Sequence, residues 1–144
     1  MPIGNSRIAA LVTTLALAAL GFGTAAALAT GGASHVLLRS CPGTVAKFEP
    51  ASFVVACGDG NLAVVKARWA TWTTRSASGH GTVKANNCKP DCASGHFLSY
   101  PAMLGLSKPK TCKGSVRIWS RLALRFPGKR PVGYKAFQTS SLLC

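Results

Sequence analysis

Apolar residues recur at every second position along the stretch SVRIWSRLALRF, residues 115–126. If this stretch is a β-strand, successive side chains point to opposite faces. One face then comprises Val116, Ile118, Ser120, Leu122, Leu124 and Phe126. The other face comprises Arg117, Trp119, Arg121, Ala123 and Arg125. The first face predicts a β-core, and the second is a candidate binding surface.

Two strands are predicted between residues 52 and 74. Residues 52–56 (SFVVA) are rich in β-branched and aromatic side chains and run into a Gly-Asp-Gly turn signal. Residues 61–74 predict a long strand whose apolar alternation changes parity, which indicates a β-bulge near Val64 and Val65. With that pattern, Trp69 and Trp72 are expected on opposite faces, one of them partly exposed.

Four further strands, including the stretch described first, complete a predicted sheet of about six. Residues 79–86 and 96–107 read as strands on either side of a cysteine-containing loop. Pro101 has no N–H to donate, so it places the second of these at a sheet edge or breaks it. A weaker strand is expected around 134–139. No segment after residue 30 keeps a helical period, so we predict an all-β fold, an antiparallel sandwich or small barrel.

The N-terminus has the order of a secretory signal peptide. Arg7 precedes an apolar run over residues 8–22, and small residues follow up to Ala29. The run is short for a membrane span, which needs about 20 residues. An uncleaved anchor is the alternative, since residues 24–29 could extend the run. We predict a signal peptide over 1–29, removed after Ala29, and a secreted protein.

The predicted mature chain fits one domain, with an irregular segment at 30–50 and a β-rich domain at 51–144. It holds an even number of cysteines, as expected of disulfides formed in an oxidising compartment. These are Cys41, Cys57, Cys88, Cys92, Cys112 and Cys144. Their spacing alone does not fix the pairing. A bridge between Cys88 and Cys92 would close a very short loop and stabilise the fold least.

Positive charge dominates the composition. The 17 Lys and Arg face three Asp and Glu, a net charge of +14, and without Arg7 the count is 16 against three, or +13. Such a field attracts anionic polymers, lipid surfaces or nucleic acid. Arg117, Arg121 and Arg125 recur about 13 Å apart along a strand, beyond the Debye length of about 8 Å. A solvated basic face is therefore tolerated without a ligand. A binding face is the alternative, because an exposed Trp119 between arginines could stack on a sugar or base.

Catalytic and metal-binding patterns are weak. The acids after residue 30 sit in turn-like contexts, not as a facing pair, and no G-x-S-x-G motif occurs. Cys88, Cys92 and His96 could supply three zinc ligands, but thiols of an exported chain tend to oxidise and the spacing differs from the usual C-x2-C pair. We therefore predict no enzymatic activity, no cofactor and no metal.

Several short motifs occur together between residues 50 and 107. They are Phe53–Asn61 (FVVACGDGN), Trp69 and Trp72, Gly79 and Gly81, Asn87–Cys92 (NCKPDC), Gly95–Phe97 (GHF) and Tyr100–Pro101. Together they resemble a group of small secreted actinobacterial proteins of unknown function that share the pattern ACGDGN…WxxW…NxCxPxCxxGxFxxYP. The resemblance implies an exported β-rich domain and supplies no activity or catalytic residue. It also suggests that Cys57 bonds to Cys88 or Cys92.

Two functions from different classes fit these observations. The first is a non-enzymatic exported protein that binds an anionic envelope polymer or lipid surface. Its tentative ligand-binding residues are Arg117, Trp119, Arg121 and Arg125. The second is a secreted inhibitor or effector that presents the Cys88–Cys92 loop to a protein partner.

Overall fold

Six antiparallel strands, hydrogen-bonded in chain order, form a single curled sheet with the shape of a half-barrel. The computed structural model describes residues 35–144, so the predicted signal peptide at 1–29 lies outside the described residues. The strands are β1 (Phe53–Val54), β2 (Leu62–Trp72), β3 (Ala77–Asn86), β4 (Phe97–Thr111), β5 (Arg117–Arg125) and β6 (Phe137–Ser141). The predicted all-β antiparallel fold is confirmed.

Strict alternation holds along most of β4. Ala102, Leu104 and Leu106 are buried on the inner face of the sheet, and Met103 between them is exposed on the outer face. β4 runs through Pro101 without a break. It is nevertheless an edge strand at that residue, because β5 joins it only from Met103 onwards.

Residues 35–50 extend the sheet through two isolated β-bridges. Leu37 pairs in parallel with Ile118 of β5, and Leu38 pairs with a later residue of the same segment. Val36 and Leu38 are buried in the main hydrophobic cluster. The segment predicted to be irregular is thus irregular in backbone but belongs to the core.

The predicted bulge in β2 lies at Lys66, next to Val65, where the pairing with β3 shifts register and φ is 54°. A second shift follows directly after Trp69. Gly79 of β3 makes room for this backbone, because a Cβ there would lie 2.3 Å from a carbonyl oxygen of β2. With two shifts, Trp69 and Trp72 meet on the core side, their ring centroids 4.7 Å apart. The expectation that they occupy opposite faces is wrong.

β5 does not keep one alternation along its length. Trp119 and Leu122 are fully buried in the same cluster, although they are three positions apart. Between these two residues, β5 changes its hydrogen-bonding partner on the edge that faces away from β4. The Trp119 N–H donates to the Leu37 carbonyl, whereas the Ser120 carbonyl accepts from the Leu142 N–H. The side chains change face where the partner changes. Placing Trp119 on one outer face with the arginines that follow it is therefore wrong.

All six cysteines are paired, as Cys41–Cys57, Cys88–Cys92 and Cys112–Cys144. The pairing of Cys57 with Cys88 or Cys92 that the resemblance suggests is wrong. The reason is spatial: the chain near Cys41 lies along β1, where the Ser40 side chain hydrogen-bonds Val54. Cys57 follows β1 directly, whereas Cys88 and Cys92 close their own hairpin loop.

Candidate anion-binding face

The four residues predicted to bind a ligand occupy different environments. Arg121 and Arg125 are exposed on the outer face of β5. Trp119 is 0% exposed and packs edge-on against Trp72, with ring centroids 6.0 Å apart. Arg117 is half-buried and lies two positions before Trp119, on the same side of the strand. The structure thus brings two of the four residues to one surface.

Arg125 lies in a row of exposed side chains that crosses five strands. Directly paired residues of an antiparallel sheet point to the same face. From β2 to β6 the paired residues are Arg68, His80, Met103, Arg125 and Phe137. All five are exposed. We name them the cationic row after its two arginines; a histidine and two large apolar side chains are its other members.

A row of small side chains lies beside the cationic row. From β2 to β6 its members are Thr71, Ser78, Gly105, Ala123 and Thr139. The Thr71 and Ser78 hydroxyl oxygens are 2.8 Å apart and hydrogen-bonded. On β5, Ala123 separates Arg121 from Arg125. The outer face therefore has a shallow trough with an arginine on each side.

Strand geometry sets the distances between charges on this face. Arg121 and Arg125 are four positions apart on β5, about 13 Å along the strand. Arg68 is three strands away from Arg125, about 14 Å at the usual strand spacing. Both distances exceed the Debye length of about 8 Å at physiological salt. An extended anion can meet several of these charges at once, whereas a small anion reaches only one.

The acids of residues 35–144 lie in turns outside the strands. The Asp59 carboxylate accepts hydrogen bonds from the Asn61 backbone N–H (3.0 Å) and side-chain amide (2.8 Å). Asp91 accepts one from the Ser94 backbone N–H (2.7 Å). These hydrogen bonds, the backbone ones above all, hold the pKa of both carboxyls below the ordinary value for aspartate. Both aspartates are engaged in their own turns, and Glu49 also lies outside the strands, so the strands that form the outer face carry positive charge.

Sequence reasoning does not find Arg68, His80, Met103 and Phe137 as neighbours of Arg125. Each lies on a different strand, and the cross-strand register that aligns them is set by turn lengths and bulges far apart in the chain. One indication of this surface is present in the sequence: Met103 is large and apolar, yet it occupies a position of β4 that faces outward.

The loop at residues 87–96, between β3 and β4, is a second candidate surface, which we name the cysteine loop. The Cys88–Cys92 disulfide closes it. The Asn86 side-chain amide donates to the Cys92 carbonyl (2.8 Å), and the Asn87 side-chain oxygen accepts from the His96 backbone N–H (2.9 Å). Residues 89–91 are exposed at its tip. The loop therefore presents a short polar tip in a fixed shape.

Within residues 35–144, no group of three or more His, Cys, Asp or Glu side chains is placed to hold a metal ion. The same part of the chain contains no helix long and apolar enough to cross a membrane.

Comparison of the chain with protein-family models, curated protein sequences and solved structures gives no match. The resemblance to small secreted actinobacterial proteins stays a prediction.

Proposed function

We propose that this chain is an exported, non-enzymatic protein that binds anionic polymers or lipid surfaces of the cell envelope through the outer face of its sheet. The cationic row carries the proposal, because Arg68, His80 and Arg125 share one exposed face with Arg121. The net charge of +13 after residue 29 draws anionic material to the domain. Three disulfides are consistent with an extracellular setting, and the family resemblance supports export as well.

Apolar side chains flank the central arginine of this face. Met103 is 55% and Phe137 59% exposed, and each is directly paired with Arg125. Against a polymer they would contact sugar rings, and against a membrane they would enter the boundary between headgroups and acyl chains. Binding through this face thus combines separated positive charges with two apolar contacts.

Retention on heparin-agarose as a function of salt tests the proposal. Replacing Arg121 and Arg125 with Ser should lower retention and reduce the slope of log affinity against log salt by roughly two, about one per lost contact. The matched control replaces Lys113 and Lys129 with Ser, which removes the same charge from exposed positions outside the strands. Equal loss in both variants would contradict the proposal, because retention would then follow net charge alone.

A second variant separates lipid from polymer. Replacing Met103 and Phe137 with Ser removes the apolar contacts and keeps every charge. For a lipid ligand, sedimentation with vesicles of equal phosphatidylglycerol and phosphatidylcholine should fall while heparin retention stays constant. For a polymer ligand, retention on purified anionic cell-wall polymer should fall and vesicle binding should stay at its wild-type level.

The fixed shape of the cysteine loop supports a second candidate function, a secreted inhibitor or effector that binds a protein partner. A preordered loop loses little conformational entropy on binding. Replacing Lys89 and Pro90 with Ala leaves the hydrogen bond between Asp91 and Ser94 in place. This variant should no longer capture a partner from the native envelope, with heparin retention unchanged. Undiminished capture would rule out the loop as the contact.

A further inference from the structure

A groove of about 580 Å³ lies between residues 38–47 and the strands β1 and β2, at the edge of the sheet opposite β6. Its size is within the range of roughly 300–1,000 Å³ found for small-molecule sites. Its lining includes the buried Leu38, Phe53 and Val64 and the exposed Val45 and Lys47. The groove thus reaches from the core to the surface.

The walls of the groove are fixed by covalent and hydrogen bonds. The Cys41–Cys57 disulfide ties the wall formed by residues 38–47 to the chain that follows β1. Leu38 and Lys47 exchange two backbone hydrogen bonds of 2.8 Å. A ligand would therefore enter a preformed site, without the entropy cost of ordering its walls.

Two of the polar side chains that line the groove, Ser40 and Thr44, are already hydrogen-bonded. The Ser40 hydroxyl accepts from the Val54 N–H (2.7 Å) and donates to the Val54 carbonyl (3.1 Å). The Thr44 hydroxyl donates to the Cys41 carbonyl (2.6 Å) and accepts from the Cys41 N–H (3.1 Å). Ser40 thereby caps the edge of β1, so an added peptide strand finds no free backbone pair at Val54. The groove is suited to an apolar ligand body instead.

The charge of the groove lining determines which head group the ligand can carry. Among the described residues that line the groove, Lys47 is the one with a charged side chain. The acids of the described chain lie outside this lining. An anionic head group beside Lys47 is therefore attracted, whereas a cationic one is repelled by Lys47 and by the positive field of the domain.

We propose that the groove binds a single-chain amphiphile with an acidic head group, such as a long-chain carboxylic acid. The apolar chain lies against Val45, Phe53, Val54 and Val64, and the carboxylate faces Lys47. The lining of this site includes neither Arg121 nor any member of the cationic row, and its proposal does not depend on the function proposed above.

Isothermal titration calorimetry with laurate and dodecanol tests this site. Laurate should bind the full mature protein at one site with a negative heat-capacity change, as burial of an apolar chain requires. Dodecanol lacks the carboxylate and should bind about two- to fivefold more weakly, because it loses an exposed ion pair with Lys47. Lys47→Ser should weaken laurate by the same factor and leave dodecanol unchanged.

A rim substitution provides the matched control. Val45→Asp replaces an apolar contact of the ligand chain with a negative charge on the same wall as Lys47 and should weaken laurate at least fivefold. Val45 is 79% exposed, so folding should be unaffected. Val132→Asp adds the same charge at a residue that is 92% exposed and outside the groove, so it should bind like wild type. Equal binding of laurate and dodecanol, or equal effects of the two aspartates, would overturn the proposal.

Discussion

Removing the three disulfides one at a time should lower the free energy of unfolding in the order of their loop lengths. Cys112–Cys144 spans 32 positions, Cys41–Cys57 spans 16 and Cys88–Cys92 spans 4. A bridge restricts the unfolded chain, and the restriction grows with the loop that it closes. Loop-closure entropy gives losses of about 3.7, 3.1 and 1.9 kcal/mol, respectively, at 25 °C.

The first of these losses is large for a domain of this size. Small domains are stable by about 5–15 kcal/mol, so about 3.7 kcal/mol is a quarter of the total or more. Cys112–Cys144 also fastens the chain that follows β6, where Leu142 is buried and donates its N–H to Ser120. β6 has only five residues. We therefore expect its pairing with β5 to weaken first when this bridge is removed.

Urea unfolding of the three double Cys→Ala variants measures these losses. Tryptophan fluorescence is a suitable signal, because Trp72 contacts both Trp69 and Trp119 across ring-centroid distances of 4.7 and 6.0 Å. Because each lost bridge lets the unfolded chain expand, the slope with denaturant should rise with the length of the loop, and the free energy extrapolated to water is the quantity compared. If loss of Cys88–Cys92 lowered stability as much as loss of Cys112–Cys144, loop length would not govern the effect of a bridge on stability.

Three further perturbations test local features of the fold. Ser40→Ala removes both hydrogen bonds to Val54 and should cost about 1 kcal/mol in urea unfolding; no loss would mean that water replaces the hydroxyl. Gly79→Ala places a Cβ 2.3 Å from a backbone oxygen and should lower the melting temperature. In the control Gly105→Ala the added Cβ lies 3.6 Å from its nearest neighbouring atom, so the melting temperature should be unchanged. Folding lowers the pKa of Asp59, so the stabilisation from its carboxylate is present above the unfolded pKa of about 3.9 and is lost as pH falls through the lower folded pKa. The urea midpoint of Asp59→Asn should therefore drop less between neutral and acidic pH than that of the wild type. An unchanged drop would exclude this contribution.

Elements with local signals are predicted well from the sequence. β3 and β4 are found because turn residues bound them and because Leu98 to Leu106 alternate in polarity over nine positions. The bulge in β2 is found for the same reason, since a parity change within one apolar run reports an extra residue. In both cases the information lies within about ten residues of chain.

Features that depend on distant partners are missed. The second register shift in β2, after Trp69, needs the close backbone approach that Gly79 allows, and Gly79 lies on another strand. Disulfide pairing depends on Cα positions after folding, and spacing along the chain leaves Cys57 free to meet any partner. The cationic row is missed likewise, because its five members come from five strands.

The burial of Trp119 follows from a balance of two energies. Its indole N–H is buried without a hydrogen-bond partner among the described residues, which costs about 1–3 kcal/mol. Burial of a tryptophan removes about 150–250 Å² from water, worth roughly 4–6 kcal/mol at about 25 cal/mol per Å². The apolar gain is larger, so the change of partner from Leu37 to Leu142 along β5 turns the indole inward and leaves Arg121 and Arg125 outside. Beside Arg125, an aromatic side chain is instead supplied to a ligand by the neighbouring strand, as the exposed Phe137.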